Sequence, residues 1–318
     1  VPDKVLVTRE IPEAGLHLLE DFDVMVLSEA PPERDELLEA VDGVDAILST
    51  ATEKIDDELL DAAGSSLKVV ANMAVGYDNI DVPAATERGV TVTNTPGVLD
   101  ETTADVAFML MLAAARRLGE SERVLRAGEW EWWGPKLFMG PDVWGKKLGI
   151  VGMGRIGQAV ARRAKGFGME ILYHNRSRDE AMEKELDARY LDLDELLETA
   201  DFISIHTPLT DETRHLIGTS ELEKMKGQAV LVNTSRGPVV DEAALAEALA
   251  EKRIFAAGLD VYEEEPKVHP KLLELENVVL APHIGSGSIE TRNRMAVLAA
   301  ENLISVLRGE EPRTPVNG

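Results

Sequence analysis

Cysteine is absent from the 318 residues. The chain therefore has no disulfide, no thiolate zinc site and no cysteine nucleophile. Cations are scarce: 33 Lys and Arg stand against 58 Asp and Glu, a formal charge of −25. So acidic a chain repels polyanions, which argues against a general nucleic-acid or anionic-membrane binder. No uncharged apolar run approaches the roughly 20 residues that a membrane span needs. The opening residues, VPDKVLVTRE, show no basic segment leading into a long apolar stretch, so no secretory signal is expected. These absences point to a soluble, cytoplasmic chain. Apolar residues make up 44%, enough to build cores and to exclude disorder as the main state. At roughly 150 residues per domain, the length suggests about two domains.

Short β-branched apolar runs recur at Val5–Thr8, Val24–Leu27, Ala46–Ser49, Val69–Asn72 and Val90–Thr93. Segments with apolar residues at helical spacing, such as Glu33–Val41 and Asp56–Ala63, lie between them. The rhythm restarts at Leu148–Val151, Ile171–Tyr173, Phe202–His206, Ala229–Asn233, Ala257–Val261 and Val278–Ala281. Continuous apolar strands alternating with amphipathic helices predict parallel sheets covered on both faces. Two series predict two doubly wound α/β domains. Between them, Asp100–Leu118 reads as one long helix, apolar enough over Ala104–Ala115 to be buried, with a place between the domains as one option. Aromatics are only 4% of the chain, yet Trp130, Trp132, Trp133 and Trp144 all fall within residues 128–145. Such a cluster fits an interface better than scattered core aromatics. The helix predicted at Thr291–Leu307 is expected to return to the first domain and make it discontinuous.

Strand Leu148–Val151 runs into Gly152-x-Gly154-Arg155-Ile156-Gly157, which opens an Ala/Arg-rich helix and is followed by another strand. In that context the glycines form a dinucleotide fingerprint: a tight turn, a close approach to pyrophosphate, and helix-on-strand packing. The pyrophosphate would lie at the helix N-terminus, where unpaired N–H groups favour anions. An acid that binds the ribose 2′-OH usually follows about 20 residues later. Here the second strand instead ends in His174-Asn175-Arg176-Ser177-Arg178. Two arginines and a hydroxyl suit a 2′-phosphate, so NADP(H) is the preferred cofactor and NAD(H) a possible one.

Arg236 follows the strand ending at Asn233, Glu265 follows the Gly258-Leu-Asp260 strand, and His283 follows the last strand. Open α/β sheets bind ligands outside the carboxyl ends of their strands. There, Arg can grip a substrate carboxylate, His can exchange the alcohol proton, and an acid can fix and charge the His. Each residue alone also has a structural reading. Together they suit the interconversion of a 2-hydroxy acid and a 2-oxo acid.

Over essentially its whole length the chain resembles the D-isomer-specific 2-hydroxyacid dehydrogenases. The carrying segments are Asn72–Asp81, the Gly152 fingerprint, His206–Thr210, Asn233–Gly237, Gly258–Pro266 and Pro282–Gly285. The resemblance implies a flavodoxin-like substrate domain from residues 1–98 and 286–318, and a Rossmann cofactor domain from 99–285 with a dimerisation insertion near 119–146. It also implies an active site in the cleft and a homodimer. By matching position, Arg236, Glu265 and His283 would be catalytic. Arg236 would also bind substrate, as would His283, Val75 and Gly76. Thr207, Pro208, Thr234, Ser235, Asp260 and Gly285 would join the Gly152–Gly157 and Asn175–Arg178 segments at the cofactor, with Asp260 at the nicotinamide carboxamide. Trp130-x-x-Trp133-x-Pro135 resembles the glyoxylate/hydroxypyruvate reductase branch, in which a Trp of this segment reaches the neighbouring subunit's substrate site. The implied reactions are glyoxylate to glycolate and hydroxypyruvate to D-glycerate. A 3-phosphoglycerate-type or other D-2-hydroxyacid dehydrogenase is an alternative, as is a dinucleotide-sensing corepressor-like protein.

Overall fold

The computed structural model describes residues 2–317 and divides into two compact units, Val1–Leu99 with Ser286–Gly318, and Asp100–Gly285. No helix among the described residues is long and apolar enough to cross a membrane.

The first unit holds strands β1 (Lys4–Val7), β2 (Asp23–Val26), β3 (Ala46–Ser49), β4 (Val69–Asn72) and β5 (Thr91–Thr93). They form a parallel sheet in the order β2-β1-β3-β4-β5, the flavodoxin-like winding. The reason is visible in β3 and β4, which are buried at every position and so must be covered on both faces. One cover is helix Ile289–Leu307, which starts where the Ser288 side chain accepts the Thr291 N–H. It packs on β3 and β4 and lies so close to Glu13–Leu16 that a Cβ on Gly15 would come within 2.8 Å of Ala296. Asn302 on this helix fastens the chain end, accepting from the N–H groups of Arg313 and Thr314.

The second unit adds β6 (Lys147–Val151), β7 (Glu170–His174), β8 (Ala188–Tyr190), β9 (Phe202–Ile205), β10 (Val230–Asn233), β11 (Ala256–Leu259) and β12 (Val278–Leu280). All pairings are parallel, in the order β12-β11-β10-β9-β6-β7-β8. The strand order therefore reverses between β6 and β9, which is where such sheets bind ligands. Phe202, Val230, Val232 and Leu148 pack into the core of one face, and Ile203, Ile205 and Leu231 into that of the other.

Two features differ from the sequence reading. The long helix stops at Ala115, and a separate helix spans Leu118–Arg126. Arg117 between them takes a left-handed φ of 52°, a break that no Gly or Pro marks. The Asp100–Ala115 helix is part of the second unit's own core, packed on helix Arg155–Gly166, β10 and β11. Short β8 was not anticipated: it is an edge strand with no fully buried residue, so it has no apolar run to announce it.

Candidate active site

The turn after β6 is shaped by close backbone approach. Gly152 has φ +97°, and a Cβ there would lie 2.7 Å from the His206 carbonyl carbon and the Thr207 nitrogen. A Cβ on Gly157 would lie 2.4 Å from the Gly152 carbonyl oxygen. These two glycines fold the loop onto itself and onto the end of β9. Gly154 differs: a Cβ there would meet no protein atom within 4 Å. It caps helix Arg155–Gly166 without a side-chain hydrogen bond, so the first N–H groups of that helix have no capping side chain. Arg155 is exposed and Ile156 half-buried beside it. At the end of β7, the Asn175 side chain accepts the Met153 N–H at 2.7 Å and ties the two strand ends together.

Beyond Asn175, Arg176, Ser177 and Arg178 are all exposed. Arg178 is engaged in a two-pronged ion pair with Glu183, at 2.7 Å for each bond. After β9 and β10, the Thr207 and Thr234 hydroxyls are buried without a protein partner. Pro208 is exposed, and its carbonyl accepts the Thr213 hydroxyl. Buried hydroxyls are nearly always satisfied, so these two, in adjacent strand-end loops, retain hydrogen-bonding capacity that a ligand could use. An open glycine at a helix start, orphan hydroxyls and a nearby arginine together fit a dinucleotide.

After β10, Asn233 organises the turn: its Oδ1 accepts the Ser235 N–H and hydroxyl, and its Nδ2 donates to the Arg236 carbonyl. A Cβ on Gly237 would lie 1.9 Å from the Tyr262 carbonyl, so only glycine lets this turn sit against the segment after β11. In that segment Glu265 Oε1 accepts the Tyr262 N–H at 3.0 Å, and Oε2 pairs with His283 Nδ1 at 2.7 Å. Burial raises the Glu265 pKa, but the hydrogen bond and charge of His283, the Tyr262 N–H and the charge of Arg236 outweigh it and hold the pKa below its ordinary value. Arg, acid and His are thus brought together electrostatically. The His283 side chain remains 40% exposed and so can be reached by a small molecule.

His283 has a left-handed φ of 54°, uncommon for a residue with a side chain. Asp260 holds that turn. Its carbonyl accepts the His283 N–H at 2.9 Å, and its two carboxylate oxygens accept the Ile284 and Gly285 N–H groups at 2.7 Å each. Burial pushes the Asp260 pKa up, against these bonds and the charge of His283. His206, at the end of β9, is held neutral: burial pushes its pKa down to about 3, and its Nε2 pairs with the Ser204 hydroxyl.

Residues 108–285 match the family described as D-isomer specific 2-hydroxyacid dehydrogenase, NAD binding domain. A glyoxylate reductase of Korarchaeum cryptofilum (strain OPF8) is 57% identical over 99% of this chain and 96% of its own length. The chain belongs to the D-isomer specific 2-hydroxyacid dehydrogenase family. It is therefore an oxidoreductase with an NAD-binding domain. A solved structure from Thermus thermophilus superposes with a TM-score of 0.93 at 47% identity, covering 99% of this chain and 100% of that one. An NADPH-dependent glyoxylate/hydroxypyruvate reductase from Sinorhizobium meliloti, in complex with NADP and malonate, superposes with a TM-score of 0.87 at 37% identity, covering 99% and 97%.

In this member of the family, the first unit presents its own strand-end loop at Val75 and Gly76. Their carbonyls accept the side-chain amides of Asn94 and Asn72, at 2.8 and 2.9 Å. No acceptor among the described residues takes their N–H groups. All four tryptophans are exposed, from 54% at Trp130 to 77% at Trp133, so none is a core residue of this chain. The positioning roles of Asn233, Gly237 and Asp260 escaped the sequence reading. Gly237 and Asp260 act through contacts between separate strand ends that no local spacing encodes, whereas Asn233 acts within its own turn.

Proposed function

We propose that this enzyme reduces a short 2-oxo acid, glyoxylate or hydroxypyruvate, to the 2-hydroxy acid, with NADPH preferred over NADH. The observation that carries this reading is the His283–Glu265 pair at 2.7 Å in the field of Arg236, built on the sheet that also bears the Gly152 loop. The glyoxylate reductase relatives support the substrate class, and Arg176 supports the cofactor choice.

A dinucleotide would be held by the Gly154 turn and the Arg155–Gly166 helix start, with Ile156 beside it and Arg176 and Ser177 at a 2′-phosphate. Thr207, Thr234, Pro208, Ser235 and Gly285 would border it. When bound, the reduced nicotinamide supplies the hydride. Arg236 would grip the substrate carboxylate with its planar fork, which matches carboxylate geometry. Val75 and Gly76, by matching position in the family, would offer N–H groups to a carboxylate. Protonated His283 donates from Nε2 as the carbonyl oxygen gains negative charge, because Nδ1 is committed to Glu265. Glu265 stabilises the protonated ring and fixes its orientation. Asp260 positions the His283 turn, and the remaining lone pairs of its carboxylate could still accept from a nicotinamide carboxamide. His206 takes no part in proton transfer.

The exposed tryptophan segment suits a homodimer interface, since Trp buries a large rigid surface at low entropic cost. Trp133 would then help close the neighbouring subunit's substrate site. The deciding experiment is a panel of 2-oxo acids assayed with NADPH and NADH in parallel. The reading requires short 2-oxo acids to have the highest kcat/KM, and NADPH to exceed NADH. A clear NADH preference would refute the cofactor assignment. Dinucleotide binding without turnover of any 2-oxo acid would refute the catalytic reading.

A further inference from the structure

Arg176 and Arg178 lie in one exposed turn, yet their surroundings differ. Arg176 makes no hydrogen bond or ion pair among the described residues and feels the charge of Glu212. Arg178 donates from Nε and a terminal nitrogen to both oxygens of Glu183. Glu183 is the fixed partner: its side chain is 13% exposed against 58% for Arg178. It also accepts the Tyr173 hydroxyl at 2.7 Å, and Tyr173 is completely buried. The same hydroxyl accepts the Asp179 N–H at 3.0 Å, so the whole turn is anchored through this tyrosine. The hydrogen bond and charge of Arg178 lower the Glu183 pKa, so the pair persists at neutral pH.

We propose that Glu183 sets the discrimination between 2′-phosphorylated and unphosphorylated dinucleotides, by holding Arg178 out of the 2′-phosphate site. The proposal rests on the reading of Asn175–Arg178 as that site. An arginine fork binds phosphate through the same paired N–H groups that bind a carboxylate. While Glu183 occupies them, Arg178 has little net charge to offer, and Glu183 itself repels the phosphate. Arg176 then acts alone, and the binding preference is weaker than two arginines would give. Replacing Glu183 with Gln removes the negative charge, while the Gln carbonyl can still accept from Tyr173. The turn stays anchored and Arg178 becomes available.

The test is calorimetric titration of the full-length native protein, Glu183→Gln, Glu183→Gln/Arg178→Ala and Arg176→Ala with 2′,5′-ADP and 5′-AMP. The ratio of the two affinities isolates the 2′-phosphate, and 5′-AMP binding checks that each variant retains its fold. Releasing a charged partner for a charge-assisted bond should raise the ratio about tenfold in Glu183→Gln at low salt, corresponding to about 1.4 kcal/mol. Added salt should shrink the gain, and the double variant should return to the native ratio. An unchanged or lowered ratio in Glu183→Gln, with Arg176→Ala lowering it, would overturn the proposal and leave the site assignment standing. If the native protein shows no preference for 2′,5′-ADP and Arg176→Ala changes nothing, both fall.

Discussion

Replacing Glu265 with Gln separates charge from geometry at the proposed acid/base pair. The Gln carbonyl can still accept a hydrogen bond from His283 Nδ1 while the anionic charge is lost, although the Gln amide NH2 then faces the Tyr262 N–H and one backbone hydrogen bond is given up. Two unit charges about 4 Å apart, at an effective dielectric of about 20, interact by about 4 kcal/mol. The side chains of His283 and Glu265 are 40% and 29% exposed, so water and salt reduce this to a fraction. The sign follows from what the carboxylate favours. Glu265, held below its ordinary pKa, is ionised at neutral pH and stabilises the protonated ring. Without it the proton-carrying form of the ring loses its anionic partner. Reduction needs that proton, so the alkaline limb of kcat/KM should move to lower pH, while the plateau at lower pH stays within about tenfold of native. The assay is a pH profile of NADPH oxidation with glyoxylate, followed by absorbance. An alkaline limb that stays in place would refute the electrostatic role of Glu265. A fall in rate at every pH with no shift would show that it only orients the ring.

Gly237→Ala should force the Arg236 turn away from Tyr262, where the new Cβ would lie 1.9 Å from backbone. Overpacking of this kind costs about 1–3 kcal/mol; calorimetry should show a Tm lower by several degrees, together with reduced kcat/KM. Thr234→Val should leave Tm unchanged or slightly raised, because its buried hydroxyl has no protein partner. The same change should weaken NADPH binding about two- to tenfold, the worth of one ordinary hydrogen bond. Trp133→Ala should alter the hydroxypyruvate-to-glyoxylate rate ratio more than NADPH affinity. In mixed dimers of Trp133→Ala with His283→Ala subunits, the His-competent site should recover near-native preference if Trp133 acts across the interface. Retention of the Trp133→Ala preference would place its action within one subunit.

The strands that carry the site were legible because parallel strands buried on both faces must be continuously apolar, as in Phe202–Ile205 and Val230–Asn233. Arg236, Glu265 and His283 could be picked out because each follows such a run. The structure then brings Glu265 and His283 within 2.7 Å of each other. Less could be read where a role depends on distant chain segments. Gly237 looks like any turn glycine until Tyr262 is seen beside it. Arg178 looks like a phosphate ligand until Glu183, on the following helix, is seen to hold it. The break at Arg117 escaped notice because a left-handed residue there carries an ordinary side chain.

The most direct test of the account is the initial rate of NADPH oxidation with glyoxylate, for the native enzyme and for His283→Ala. General acid–base catalysis contributes about 10²–10⁴-fold. The account predicts saturable turnover by the native enzyme, and a kcat lower by at least about a hundredfold in the variant, with NADPH affinity nearly unchanged. A variant that turns over glyoxylate within a few-fold of native would contradict it.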